Sequence, residues 1–533
     1  MRSTVLFLST LLCFANALNI VLYSQVVGPS HLDFANSLVE SLTRRGHNVD
    51  MIVGRMNTNA KTYGTSSARR QITVGFEENS PWVASTHLTD PFVDKRPGFL
   101  EPRLMDLFED VTIEMCDLFL SDVRLSEMLR DNTYDLALMS AYDYCPLAMF
   151  HHNGIKNVAS YSPTPLFPLQ SYAIGLPSLP SYVTDILQSV STSLNLNFVE
   201  RTENVLFALK YELIEHQRFI RRTDAVVRKH YGASFPSTAD LARDMAVTFV
   251  NSNELLEQGR PISHKVKYIG GINRREPQKL DPEMEALLGK ARTGNVIFSF
   301  GTQILTTRIP REIKIGLVRA FAEFPEYNFI WKFDGSADEM EWLFQNVTNV
   351  YPVKWLPQND MLDHPRTVAF ISHMGLNSYL EASYAGVPTI SIPIFADQIW
   401  NSMNAESRGI SVLIRKSEVT EKRMVRALQK VLGNHGMTKK CHTLAKMLKS
   451  KPQQPEELFV QWVEYAATFQ GLSDYINLPS SRMSGIVHSN LDVIACLSIS
   501  CLIFVTVIPY LIYRILGPAL ASFTPRIVKV KKQ

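Results

Sequence analysis

Leu18 to Tyr23 is a largely apolar run that predicts a buried strand, and Gly28-Pro29-Ser30 predicts a turn after it. Phe34, Leu38 and Leu42 then recur at the spacing of one helix face, up to Gly46, and Val49 to Val53 predicts the next strand. A strand, helix and strand in that order open a parallel, doubly wound sheet. Tyr134 to Met139 is a further short apolar run, ending in a polar loop from Ser140 to Asp143. The proline- and serine-dense segment from Tyr161 to Pro180 predicts loop rather than sheet, and Phe198 to Phe219 predicts an amphipathic helix. A second alternation starts near Asn295. Val296 to Phe300 is strand-like and ends in Gly301-Thr302, Ile313, Leu317 and Phe321 mark a helix, and Asn328 to Phe333 is strand-like again. Val368 to Ser372 predicts a strand, Asn377 to Ala385 a helix and Thr389 to Ile394 a strand. The pattern is that of two α/β halves joined around Asn251 to Ile272.

The two ends read as address labels. Met1-Arg2, the apolar Val5 to Phe14 and the small-x-small Ala15-Asn16-Ala17 predict a secretory signal peptide over residues 1–17. Val493 to Tyr513 holds no charge and, as a helix, spans about 30 Å, the thickness of a bilayer core. Pro509 predicts a kink in it. After it come Arg514, Arg526, Lys529, Lys531 and Lys532 and no acid, which marks the cytoplasmic side. The expectation is a single-pass type I membrane protein with most of its mass in the lumen. The closing Lys529 to Gln533 is similar to a dilysine signal for the endoplasmic reticulum, and it also reads as a basic cluster beside anionic lipid.

Composition changes this picture little. Hydrophobic residues at 46% and charged residues at 20% describe a globular chain. The net charge of +3 gives no reason to expect nucleic acid as a partner. Cys13 leaves with the signal peptide, and Cys496 and Cys501 lie in the apolar segment. Cys116, Cys145 and Cys441 remain, so disulfides are neither required nor excluded. Asn346-Val347-Thr348 is the glycosylation sequon, with Asn346 as acceptor. The sequence contains no GxGxxG, Walker A, HExxH or GxSxG pattern, which removes support for dinucleotide enzymes, P-loop NTPases, zincins and serine hydrolases.

One stretch is more specific than the rest. It runs Trp355-Leu356-Pro357-Gln358-Asn359-Asp360, then Phe370-Ile371-Ser372-His373-Met374-Gly375-Leu376-Asn377, then Glu381, Gly386-Val387-Pro388, Pro393 and Asp397-Gln398. A strand ending in a histidine and a glycine, followed by a helix, presents backbone N–H groups and a positive dipole end to a diphosphate. An indole offers a flat face to a pyrimidine. Asp397 and Gln398, just past a strand end, offer acceptors and donors to sugar hydroxyls. Taken singly, each of these residues is as well explained by core packing.

Together they resemble the UDP-glycosyltransferase signature, and with the paired halves and both end segments the likeness covers nearly the whole chain. It is nearest the animal UDP-glucuronosyltransferases, and Gly175 to Tyr182 is nematode-like. The resemblance implies two Rossmann-like domains facing a cleft (the GT-B type) plus one C-terminal transmembrane helix. It implies a signal peptide at 1–17, an acceptor-binding domain at 18–255 and a UDP-sugar-binding domain at 256–450. A return helix and juxtamembrane segment at 451–490, a transmembrane helix at 493–513 and a basic tail at 514–533 complete the chain. It assigns Trp355 and Gln358 to uridine, Glu381 to ribose, His373, Gly375 and Asn377 to diphosphate, and Asp397 and Gln398 to the sugar. Ser299 and Thr302, after the other strand, add phosphate contacts. His31, at the mouth of the first helix, is implied as the general base that deprotonates the acceptor hydroxyl, a task suited to a side chain that titrates near neutrality. The plain alternative is a residue that packs at a helix start, with Ser30 as its N-cap.

Two positions depart from the family pattern. The acidic residue that orients the histidine is replaced by Ser140, and Asp143, in the same loop, is the substitute candidate. A serine can orient an imidazole but cannot neutralise an imidazolium. His373-Met374-Gly375 stands in place of His-Gly-Gly, so the methionine either crowds the donor or points away. The expected reaction is inverting transfer, most simply of glucuronate, from a UDP-sugar to a lipophilic hydroxyl compound. No cofactor is expected, and no metal, since no D-x-D pattern occurs. Two other readings stay open: a glucosyltransferase, and an inactive relative that binds donor or ligand, or partners an active paralogue; for assembly, a homo- or hetero-oligomer is open.

Overall fold

The computed structural model describes residues 17–56, 65–76, 91–92, 103–184, 194–302, 304–488 and 490–522. It divides into two units, Met1–Leu478 and Pro479–Gln533. The first unit contains two parallel sheets.

The first sheet comprises β1 (Asn19–Val26), β2 (Asn48–Arg55), β3 (Arg70–Gly75), β4 (Leu136–Ser140), β5 (Val158–Ser162), β6 (Thr248–Val250) and β7 (Val266–Tyr268), in the order β3-β2-β1-β4-β5-β6-β7. Strand β1 pairs with β2 on one side and β4 on the other, so the strand order reverses there. Helix α1 (Pro29–Arg44) leaves the carboxyl end of β1 at that point. Residues of β1 alternate between two clusters. Ile20 and Leu22 pack with Phe34, Leu38 and Leu42 of α1, whereas Val21 and Tyr23 pack on the opposite face with Phe119 and Met139. Burial on both faces is what a parallel sheet requires.

The second sheet comprises β8 (Gly294–Ser299), β9 (Tyr327–Lys332), β10 (Val350–Val353), β11 (Thr367–Ser372), β12 (Thr389–Ser391) and β13 (Ser411–Leu413), in the order β10-β9-β8-β11-β12-β13. Its reversal lies between β8 and β11, where Ser299 and Ser372 stand in register at the strand ends. Phe298, Phe321, Phe329 and Trp331 form its aromatic core. The helix Pro455–Thr468 carries the chain back to the first sheet, where Phe459, Val460, Val463 and Ala466 join the α1 cluster. Arg44 pairs with Glu456 at 2.7 Å and His47 with Glu464 at 3.1 Å at its edges.

Several expectations need correction. Ser140 is the last residue of β4, not the first of a loop. Tyr161 and Ser162 close β5, and Pro168–Ala173 is a short helix, because proline is tolerated in a first helical turn. Strands β3, β5, β6, β7, β10 and β13 are short or polar enough that periodicity did not reveal them. The expected helix at Phe198 to Phe219 is two helices, Phe198–Lys210 and His216–Tyr231, joined by a π turn at Tyr211–Glu215. In the first of these the apolar Phe198, Val199, Leu206 and Leu209 face outward and only Asn204 is buried. Cys116 and Cys145 form a disulfide between the helix Arg103–Ser121 and the helix Cys145–His152, which follows the turn after β4.

In the second unit, Leu491–Pro518 is a 28-residue helix long and apolar enough to cross a membrane. A π turn at Ile503–Val507 ends two residues before Pro509, and the wider turn accommodates a residue that lacks an N–H. The signal-peptide residues 1–16 and the basic Arg526 to Lys532 lie outside the described residues.

Candidate active site

Open α/β sheets hold ligands at the carboxyl ends of their strands where the order reverses. Both reversals here carry the residues singled out from the sequence.

On the second sheet, His373 follows β11 directly and lies between two glycines. A Cβ at Gly301 would stand 2.7 Å from its Cε1, and one at Gly375 would stand 2.8 Å from its Nε2. Both glycines therefore make room for the imidazole. Burial and the neighbouring Lys332 charge lower His373 to about 4, so the ring is neutral. Ser299 Oγ accepts the Gly301 N–H at 3.1 Å and shapes the same turn, and Thr302 is exposed beside it. Met374 has φ +61° and its side chain is fully buried in the core under the sheet. It points away from the donor side, and the cost falls on the backbone instead.

Helix α2 (Gln358–Asp363) and helix α3 (Leu376–Ala385) run side by side. Gln358 Nε2 donates to Glu381 Oε2 at 2.6 Å and to Ser378 Oγ at 3.1 Å. Burial pushes Glu381 up to about 7, so near neutrality it exists in both forms and can accept from or donate to a hydroxyl. Trp355, just before α2, is 67% exposed and offers an open ring face. Helix α3 has Gly375 as N-cap and no side-chain cap; its first amide, Leu376, donates to Asp397, and the N–H groups that follow in the first turn are the ones left for a ligand. Asn377, in that first turn, accepts at 3.4 Å from Asn251 of the first half.

Helix α4 (Asp397–Ser407) follows Ala396, whose φ of +54° is unusual for a residue with a side chain. Asn401 Nδ2 donates to Asp397 Oδ2 at 2.8 Å and to the Met374 carbonyl at 3.0 Å. Burial pushes Asp397 up to about 6 against hydrogen bonds from Asn401 and the Leu376 amide, so this carboxyl sits at the start of α3. Gln398 is committed on one side: its Oε1 accepts from the Ile394 and Phe395 amides at 2.9 and 3.1 Å, leaving the Nε2 end for a sugar hydroxyl. The two residues with positive φ, Met374 and Ala396, thus stand on either side of the Asn401 amide, which bonds to the Met374 carbonyl and to Asp397. Ala396→Gly is expected to stabilise the protein by about 1 kcal/mol by removing the strain of that φ, read as a higher Tm of the solubilised full chain. An unchanged or lower Tm would show that the turn is unstrained.

On the first sheet, His31 lies in the first turn of α1, whose N-cap is Gly28 rather than Ser30 and makes no side-chain bond. Its Nδ1 is buried without a hydrogen-bond partner, and burial lowers the ring to about 4. The ring stacks on Tyr142, with centroids 5.2 Å apart and planes 9° apart. Ser140 Oγ is buried and also lacks a partner. Asp143 Oδ1 accepts the Cys145 N–H at 2.9 Å and Oδ2 accepts the Tyr23 hydroxyl at 3.3 Å, and burial pushes the carboxyl up to about 7. Neither Ser140 nor Asp143 bonds to His31. Tyr142 lies close enough to Asp397 for the carboxylate to disfavour tyrosinate, which brings the two sheet ends together. Trp400 and Met403 of α4 pack into the first half's core and fix that approach.

Sequence reading missed three residues here. Lys332, at the end of β9, donates to the Gly301 carbonyl at 2.7 Å and lies 5.1 Å from the Trp355 ring centroid. Its place at a strand end was the signal available. Tyr142 and Asn251 gave none, since only the tertiary fold brings them to the cleft. Asn346 is exposed in the turn after the helix Ala337–Phe344.

Comparison with known proteins accords with this geometry. The family model described as UDP-glucoronosyl and UDP-glucosyl transferase matches residues 22–520. A Caenorhabditis elegans protein carrying a UDP-glucuronosyltransferase name, ugt-50, is 25% identical over 506 residues, covering 94% of each chain. Mouse UDP-glucuronosyltransferase 1A7 is 26% identical over 88% of this chain and 86% of its own. UDP-glucosyltransferase 2 of Dactylopius coccus is 26% identical over 94% of each. Among solved structures, a UDP-glucosyltransferase from Polygonum tinctorium superposes with a TM-score of 0.57 at 16% identity, covering 86% of this chain and all of that one, which shows the shared GT-B fold. The chain is a glycosyltransferase of the GT-B fold and belongs to the UDP-glucuronosyl and UDP-glucosyl transferase family.

Proposed function

We propose that this protein transfers glucuronate from UDP-glucuronate to a hydroxyl of a small lipophilic acceptor with inversion, using His31 as the base. The observation that carries the reading is the meeting of the two strand-order reversals, with His31 stacked on Tyr142 and Tyr142 in electrostatic range of Asp397. In this reading uracil lies on Trp355, Glu381 and Gln358 hold the ribose side, and the first turn of α3, Ser299 and Thr302 receive the diphosphate. Asp397 and Gln398 take the sugar hydroxyls. Charge on the departing UDP is met by the α3 N-terminus and the Lys332 ammonium, which are positive before the reaction begins.

The proposed setting is the endoplasmic reticulum membrane, with Leu491–Pro518 as the span and the catalytic halves in the lumen. The Cys116–Cys145 bridge supports an oxidising compartment. The exposed Asn346 is accessible to glycosylation there.

Membranes carrying the full chain, supplied with UDP-glucuronate or UDP-glucose and a simple phenol, test the reading. UDP release that needs the phenol supports it, and the ratio between donors decides the sugar. Donor binding without release favours a non-catalytic relative, a reading drawn from the missing bond between His31 and any carboxylate. The pH profile is a second check. The neutral imidazole is the base, and burial disfavours the imidazolium, so the neutral form persists below the usual histidine pKa of about 6.5. With saturating donor, which holds Asp397 in its bound state, the acidic limb of kcat/KM for the acceptor is expected below pH 6. A limb at or above 6.5 would contradict a buried His31.

A further inference from the structure

We propose that Tyr142 is the positioning residue for His31: its ring face holds the imidazole in plane and faces the positive charge the imidazole gains on accepting the acceptor's proton. The inference rests on the reading of His31 as base. In that step the proton passes from the acceptor oxygen to an imidazole nitrogen. The oxygen's electron pair forms the bond to the anomeric carbon, the bond from that carbon to the UDP oxygen breaks, and its electrons leave with UDP.

A histidine that works as a base needs something to fix its plane and to tolerate its charge. The carboxylate expected for both tasks is missing, because Ser140 carries none and both Asp143 oxygens are engaged by Tyr23 and the Cys145 amide. Tyr142 occupies the vacant role by contact. Its ring is nearly parallel to His31, with centroids 5.2 Å apart, the offset arrangement that aromatic pairs favour. Tyr142 is itself fixed on every side. Phe167 stacks on it at 5.2 Å and 23°, Phe108 meets it edge-on at 6.3 Å, and its hydroxyl shares a 3.1 Å hydrogen bond with Thr164. A rigid aromatic column therefore ends on the imidazole. The negative face of an aromatic ring attracts a cation, and the attraction grows where water is excluded. Asp397 on α4 acts on Tyr142; Asp143 follows Tyr142 in the turn and is held by Tyr23 and Cys145, and Asp33, two residues after His31 on α1, feels Arg275. None of them acts resolvably on His31, whose lowered pKa has burial as its cause.

The test compares Tyr142→Phe, Tyr142→Leu and His31→Ala in the full chain, by transfer rate, donor KM and the pH profile at saturating donor. Tyr142→Phe keeps the ring and should stay within about 3-fold of the parent kcat. Tyr142→Leu should lose about 10–100-fold in kcat, as expected when a reacting group is misplaced, with donor KM held within about 2-fold. Its acidic limb should move down by about half to one pH unit, since the imidazolium loses its favourable face. If Tyr142→Leu no longer binds UDP, Tyr142→Met, closer in length, takes its place. A leucine variant with parental kcat, an unmoved limb, or a phenylalanine variant as impaired as leucine would each overturn the proposal. Full transfer by His31→Ala would overturn the base reading itself, whereas an inactive His31→Ala beside an unimpaired Tyr142→Leu would overturn only the role of Tyr142.

Discussion

Replacing His31 with alanine is expected to lower acceptor-dependent UDP release by about 10²–10⁴-fold, the range that general-base catalysis contributes, while UDP affinity stays the same. The asymmetry follows from where the groups sit. His31 belongs to α1 on the first sheet, whereas the residues assigned to UDP all stand at the ends of, or after, strands of the second sheet, β8, β10 and β11. The fold should tolerate the change, because the His31 Nδ1 makes no hydrogen bond and alanine is a good helix former. Loss of activity with retained UDP binding is therefore the expected pattern. Retained activity would remove His31 from the chemistry, and loss of UDP binding as well would mean a structural role.

The second large effect concerns the donor. Trp355→Ala is expected to weaken UDP binding by about 5–150-fold, the equivalent of the 1–3 kcal/mol that an aromatic platform gives a stacked base. The indole is 67% exposed, so removing it opens no core cavity and the Tm should hold. The Lys332 ammonium, 5.1 Å from the ring centroid, would lose its aromatic partner but keep its bond to the Gly301 carbonyl. Trp355→Phe should restore most of the affinity, since a smaller ring still presents a face. Calorimetric titration with UDP reads both variants. Unchanged affinity in Trp355→Ala would place the base elsewhere.

What was legible in the sequence was whatever periodicity or motif order encodes. The runs that became β1, β8 and β11 are long and apolar because they lie at the centre of parallel sheets, and α1 shows its buried face every four residues. The strands at and near the sheet edges are different. β3 has one buried residue in six, and β6, β7 and β13 are three residues each, too short for a period to register. The residue types of the 355–398 stretch were visible, but their engagements were not. That Gln398 spends its carbonyl on the Ile394 and Phe395 amides depends on backbone geometry that spacing does not give. Met374 illustrates the same limit: its φ of +61° turns the side chain into the core, so a residue that could have crowded the donor faces away from it. On the acceptor side the sequence pointed to Ser140 and Asp143, yet the neighbour that touches His31 is Tyr142, between them in the chain. A contact set by the orientation of a two-residue turn has no periodic signature.

The most direct test of the account is UDP release from membranes bearing the full-length protein, measured with UDP-glucuronate and UDP-glucose in turn, with and without a panel of simple phenols. The account predicts release that requires the phenol and runs faster with UDP-glucuronate. No phenol-dependent release with either donor, from protein that still binds UDP, would contradict it.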